Sequence, residues 1–208
     1  LADLKEFAFD LKPWEMVRML GPTLSGGGLA KINGVMHELR RVLGDTRIED
    51  CSIPYTAVAS DIVSQEEVWL TTGPIVAAVR ASVAIPVLFT PVVRDGRLLS
   101  DGGCVNPLPI EPLRPVDADV IVAVSLYDPP TSPPTSNGNP RLNLATTAIY
   151  AIDTSLSSIQ RARLVTTPPD VLIGIPSDLV GFLDMHRAAD VISAAEGIAV
   201  KALDEAGL

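Results

Sequence analysis

In the stretch LLSDGGCVNPLPIEPL, residues 98–113, one carboxylate stands between an apolar run and two glycines. Asp101 so placed emerges from a core-forming segment, and Gly102 and Gly103 permit both a turn and the close approach of another group. Three chemistries fit: capping a tight turn, holding a cation, or taking a proton from a neighbouring hydroxyl as half of a Ser–Asp pair. Spacing alone leaves all three open, and the third requires a nucleophile.

The rest of the chain offers few partners. A serine nucleophile on a sharp strand-to-helix turn needs glycines on both sides, as in G-x-S-x-G, and no serine here has that frame. Ser25 has Thr two residues before it, and Ser82, in RASVA, reads as a helix-end residue bonding to backbone. Gly26, Gly27 and Gly28 suggest a backbone cradle for an anion, but no Gly-Lys-Ser/Thr follows, so they read as a flexible turn before a helix. His37 and His186, the two imidazoles, both fall on helical patterns beside charged neighbours, which favours surface or packing roles over catalysis. Asp61 ends an apolar strand pattern, where an Asx-turn or cap competes with a functional role. No Ser-His-Asp triad can be assembled from these residues.

The elements that must hold Asp101 follow from periodicity. Residues 1–9 have a helical pattern through Leu1, Leu4, Phe7 and Ala8, broken at Pro13. A turn-rich link at 21–31 precedes an amphipathic helix carrying Ile32, Val35, Met36, Leu39, Val42 and Leu43, with Gly44 as its stop. Strands are expected at 55–60 and 67–71, then a short buried helix from Pro74 to Ala84. Asp95-Gly96 between apolar segments signals a hairpin leading into Asp101. The run from Asp119 to Leu126 has the continuous apolar character of a strand covered on both faces. The proline-rich segment 127–141 reads as an exposed loop within the domain. A helix of roughly six turns, a buried strand in DVLIGIP and a final amphipathic helix follow, the last with Phe182, Met185, Ala189, Ile192 and Ala195 inward. Helices alternating with apolar strands argue for an α/β architecture of sheet layered between helices.

Composition excludes several classes of function. The 208 residues, 47% hydrophobic, suffice for one domain with a sizeable core. A net charge of −9 argues against a nucleic-acid partner, which would require clustered cations to displace counterions. Cys51 and Cys104 lie far apart with no CxxC or Cys/His cluster, so neither zinc nor a disulfide framework is indicated, and a reduced, cytoplasmic chain fits. No apolar run of about 18 residues marks a membrane span, and the opening residues lack the pattern of a signal peptide.

GPIVAAVRASVAIPVLFTPVVRDGRLLSDGGCVNPLPIEPLR, residues 73–114, resembles the patatin-like phospholipase family, in particular its bacterial esterase-like members. Several features recur in order: ASVAIP with Ser82 and Pro86, FTP with Phe89 and Pro91, then DGG followed by NPLP. Upstream IPYTAVASDI and downstream ADVIVAVSL with the closing helix also fit, so the resemblance spans nearly the whole chain. It implies a three-layer α/β sheet and a serine lipid acyl hydrolase, phospholipase or carboxylesterase, with no cofactor. It makes Asp101 the general base of a Ser–Asp dyad, with Gly102 and Gly103 supporting its turn. The family's glycine-rich oxyanion loop, G-G-G-x-R-G, and its G-x-S-x-G elbow are absent from this sequence. By the resemblance, residues 1–208 form a single patatin-like domain truncated at its amino terminus, without the first strand and nucleophile elbow. Such a chain is expected to be inactive alone, to self-associate through uncovered apolar surface, and to meet lipid, with peripheral membrane contact as one route. The alternative is a non-catalytic binding or regulatory module on the same fold.

Overall fold

The computed structural model describes residues 21–22, 28–129, 144–179 and 188–208. In chain order the elements are β1 (Gly21–Pro22), β2 (Gly28–Lys31), α1 (Asn33–Leu43), β3 (Ala57–Asp61), β4 (Glu66–Leu70), α2 (Ile75–Ser82), β5 (Val87–Phe89), β6 (Val92–Arg94) and β7 (Arg97–Asp101). Then come β8 (Val122–Asp128), α3 (Leu144–Thr166), β9 (Val171–Pro176) and α4 (Ala188–Ala206). The α/β class expected from the pattern is the class observed. Among the described residues the strands hydrogen-bond as three sheets, ordered β1-β2-β5, β4-β3-β7-β6 and β8-β9.

Local rules account for the elements nearest Asp101. The β6–β7 hairpin pairs Arg94 with Arg97, and its two-residue turn holds Asp95 at φ 51° and Gly96 at φ 76°. Positive φ at both central residues matches the right-handed twist of the flanking strands, which is why Asp-Gly forms it. The α1 helix stops at Gly44, whose φ of 62° lets its N–H reach the Arg40 carbonyl at 2.7 Å. Pro74 sits at the N-cap of α2, one residue before the first helical position. Ala57, Ala59, Leu70 and Leu99 of the antiparallel sheet pack with Ala78 and Ala81 of α2. Ala59, Ala78 and Ala81 have no exposed surface, so larger side chains there would force helix and sheet apart.

Four expectations are corrected. Part of the 21–31 link is strand: β2 runs parallel to β5, pairing Gly28 with Val87 and Ala30 with Phe89. The apolar run at 119–126 does not form a strand covered on both faces. Its strand runs from Val122 to Asp128; Ala123 and Ser125 are buried, while Val122, Val124 and Leu126 are 40%, 54% and 66% exposed. The reason lies in packing: α4 lies over Val171, Ile173 and Ile175 of β9, and β8 has only β9 as a described strand neighbour. Tyr127 and Asp128 therefore end a strand instead of opening a loop, and they are half-buried. The inner face of α4 runs through Ala195, Ile198, Ala199, Ala202 and Leu203, with Ala189 exposed. The helix expected at residues 1–9, Gly26 and Gly27, the proline-rich stretch from 130 to 141, Phe182, Met185 and His186 lie outside the described residues.

Candidate active site

Asp101 is the last residue of β7 and the N-cap of a short 3-10 turn, Gly102–Cys104. Its Oδ1 accepts the Gly103 N–H at 2.7 Å. The capping role open in the sequence is thus real, and it occupies one carboxylate oxygen. The side chain lines a cavity of about 430 Å³ shared with Ser82, Asn106 and Tyr127, walled in part by Ile85, Val124 and Leu126. Burial pushes the Asp101 pKa up, and the Gly103 hydrogen bond offsets part of that rise.

Main-chain contacts fix where this carboxylate stands. The Asp101 N–H donates to the Ala84 carbonyl at 3.0 Å, and the Ser100 hydroxyl donates to the same oxygen at 2.6 Å. From the other side, the Ser60 hydroxyl of β3 donates to the Asp101 carbonyl at 2.8 Å and lies 3.3 Å from that of Gly102. The residues after α2 and the end of β7 are thereby locked together, which gives a physical reason for ASVAIP and DGG to occur in one chain. Both glycines sit in tight quarters, Gly102 against backbone and Gly103 against the end of a side chain. A Cβ at Gly102 would overlap the Val58 carbonyl, and one at Gly103 would stand 2.9 Å from Asp101 Oδ1.

Asn106, in NPLP, is 1% exposed and ties this turn to two other elements. Its N–H donates to the Gly102 carbonyl at 2.9 Å. Its Nδ2 donates to Glu67 Oε2 at 3.0 Å and Glu111 Oε2 at 3.1 Å. Arg163 of α3 closes the network, donating to Glu111 Oε1 at 3.0 Å and standing 3.7 Å from Glu67 Oε2. Glu67 and Arg163 lie far from Asn106 in the chain, so the residues around it gave no sign of this role.

Tyr127 of the wall and Cys104 of the adjoining 3-10 turn are weak acids held neutral. Burial first, then the Asp153 and Asp101 charges, push the Tyr127 phenol up to about 12. Burial and the Asp101 charge push the Cys104 thiol up to about 11. At neutral pH Tyr127 is accordingly an O–H donor at the cavity wall, a role hidden in sequence because it borders the proline-rich run.

The remaining sequence candidates separate cleanly. Ser82 ends α2, as its position predicts, yet its hydroxyl has no hydrogen-bond partner among the described residues, and the residue lines the Asp101 cavity. Asp61 forms an Asx-turn: its Oδ1 accepts the Val63 N–H at 3.0 Å, with the Ser64 N–H 3.4 Å away. These backbone hydrogen bonds, Val63 foremost, hold its carboxyl below the usual range, and it takes no part in lining the Asp101 cavity. His37 lies on α1 in a separate groove. Cys51 and Cys104 are free thiols. Among the described residues, no helix is long and apolar enough to cross a membrane.

Comparison with known proteins bears on this arrangement. The Patatin-like phospholipase family profile matches residues 2–114, from before β1 through the DGG and NPLP turns. An uncharacterized NTE family protein of Mycobacterium tuberculosis is 28% identical over 279 residues, taking in 98% of this chain and 78% of its own length. That alignment is longer than the 208-residue chain, so the relative carries internal residues without a counterpart here. Patatin-like phospholipase domain-containing protein 7 of Rattus norvegicus is 33% identical over 95 residues, 45% of this chain and 7% of its own. A putative patatin-like phospholipase domain-containing protein of Caenorhabditis elegans is 32% identical over 90 residues, 42% of this chain and 8% of its own. With its profile match spanning more than half of the sequence, the chain belongs to the patatin-like phospholipase family.

Proposed function

We propose that Asp101 is the general base of a serine-dependent lipid acyl hydrolase whose nucleophile lies in residues this chain does not carry. The observation that supports it most is a half-buried carboxylate with a raised pKa, one oxygen anchored on Gly103, in a largely apolar cavity large enough for a small ligand. A base whose pKa is lifted toward neutrality accepts a proton more readily than an ordinary aspartate. Membership of a family of lipid acyl hydrolases supports the same class of chemistry.

In this reading the serine hydroxyl passes its proton to Asp101 as its oxygen attacks the ester carbonyl. The tetrahedral intermediate collapses to an acyl-enzyme, and the leaving alcohol takes the proton from Asp101. Water then repeats the cycle, losing its proton to Asp101 and releasing the fatty acid and the free serine. Val124, Leu126 and Ile85 suit the cavity to an acyl chain, and Tyr127 offers an O–H to a carbonyl oxygen. The chain by itself is expected to be inactive, because a base without nucleophile or oxyanion donors forfeits most of the rate.

Ser82 supports a second reading, because it shares the Asp101 cavity and its hydroxyl has no hydrogen-bond partner among the described residues. It lacks the flanking glycines that expose a nucleophile and present oxyanion donors. A fluorophosphonate probe applied to the 208-residue chain separates the two: stoichiometric labelling of Ser82 favours the second, and no labelling favours the first. Ester turnover by the parent reading frame, with and without Asp101→Ala, tests the dyad, and undiminished turnover in the variant would sink it. Should the parent frame carry no nucleophile either, the cavity belongs to a non-catalytic lipid-binding module.

A further inference from the structure

A second recess lies between α1 and α2 and, among the described residues, shares no lining residue with the Asp101 cavity. Asn33, Met36, His37 and Arg40 line it from α1 at spacings of three, four and seven, which places them on one helical stripe. Val76 and Arg80, four apart on α2, form the opposite wall of this groove of about 360 Å³. Among the described residues its lining holds two arginines, a histidine and an asparagine and no carboxylate, in a chain whose net charge is −9.

The donors are largely unused. Arg80 Nη2 donates to the Thr90 carbonyl at 2.7 Å, but its Nη1 is buried with no acceptor among the described residues. A buried charged donor left unpaired is costly, so an acceptor brought by a ligand is favoured there. Arg40 stands 3.8 Å from Asp45, and both side chains are well exposed, so that pair competes weakly for the guanidinium. The Asn33 amide and the His37 ring have no hydrogen-bond partner among the described residues. The α1 helix also starts at the Asn33 end of the groove with no capping side chain and no acidic residue in its first turn. Its first N–H groups and the positive end of its dipole lie at that end of the groove.

We infer that this groove binds the phosphate group of a phosphate ester, with Arg80 and Arg40 as the principal donors and Asn33 and His37 completing the shell. Guanidiniums on the two walls match the several acceptor oxygens of a phosphate. Met36 and Val76 give the groove an apolar side on which a short organic group attached to that phosphate can rest.

The test is binding of inorganic phosphate to the 208-residue chain by phosphorus NMR or calorimetry, with Arg80→Gln and Arg40→Gln alongside and circular dichroism confirming that each is folded. Arg40 is exposed, so its variant keeps the test decisive even if Arg80→Gln fails to fold. Saturable binding weakened roughly tenfold or more by each folded variant supports the site. Binding absent up to about 50 mM phosphate, or unchanged in either folded variant, overturns it. Parallel arms with glycerol 3-phosphate and with phosphatidylglycerol vesicles distinguish a soluble ester from a lipid headgroup, the tighter binder naming the source. Because no ester turnover is measured, failure of the Asp101 reading and failure of this one are independent.

Discussion

Replacing Asp101 by Asn gives the sharpest test of the dyad because it separates the two tasks of the carboxylate. The amide keeps the oxygen that accepts the Gly103 N–H at 2.7 Å, so the turn is preserved, but it cannot take a proton. General-base assistance accounts for about 10²- to 10⁴-fold in rate, roughly 3–5 kcal/mol of barrier, and that is the expected loss in ester turnover by the parent polypeptide. Stability should move the other way. Burial raises the Asp101 pKa above the ordinary 3.8, so the folded state holds its proton more tightly than the unfolded state does. Wild-type stability therefore falls as pH rises from 3.8 through the raised value and stays lower above it. The Asn variant lacks this loss; its Tm advantage should be absent below the ordinary Asp range, grow across the window and level off by neutrality. The acid limb of kcat/KM should follow the same raised pKa, with activity lost as pH falls through it. p-Nitrophenyl ester turnover and thermal melts from about pH 3 to 8 read both effects. Turnover within tenfold of wild type, or a variant less stable at neutral pH, would refute the reasoning.

Other expectations follow from the same geometry. Gly102→Ala should cost about 1–3 kcal/mol in urea denaturation, because the new methyl meets the Val58 carbonyl and backbone must move. Gly96→Ala, at φ 76° with open space around it, should cost only about 1 kcal/mol, from the left-handed backbone alone. Asn106→Ala should lower stability by about 2 kcal/mol and loosen α3, since Glu67 and Glu111 each lose a donor; hydrogen exchange of α3 amides would register it. Cys104, pushed up to about 11, should be only about one part in a thousand thiolate at pH 8 and alkylate slowly until well above that pH.

Features with a short-range cause could be read from the sequence. The Asp95-Gly96 turn, the Gly44 stop, the strand around Ala57–Asp61 and the 23-residue α3 helix all answer to neighbours a few residues away. So does the prominence of Asp101, through the two glycines that follow it. The hidden features depend on residues far apart in the chain. Nothing near residue 101 announces that the Ala84 carbonyl or the Ser60 hydroxyl will hold its backbone. The run of valines in β8 promises burial on both faces, but burial depends on which helix lies above, and α4 covers β9. Ser82 misled because helix-end serines usually bond backbone, whereas this one faces the cavity.

The Ala84 carbonyl, which receives both the Asp101 N–H and the Ser100 hydroxyl, has a consequence for how the site tolerates sequence change. A backbone oxygen is present whatever residue stands at its position, so most substitutions cannot delete the anchor. They can only displace it by being too large for a position with no exposed surface. A saturation scan around Asp101 should thus show tolerance ordered by side-chain volume at residues 81, 84, 102 and 103, and depend little on polarity. The orientation of the carboxylate is inherited through steric limits, a form of constraint that leaves its record in small residues and not in conserved polar pairs.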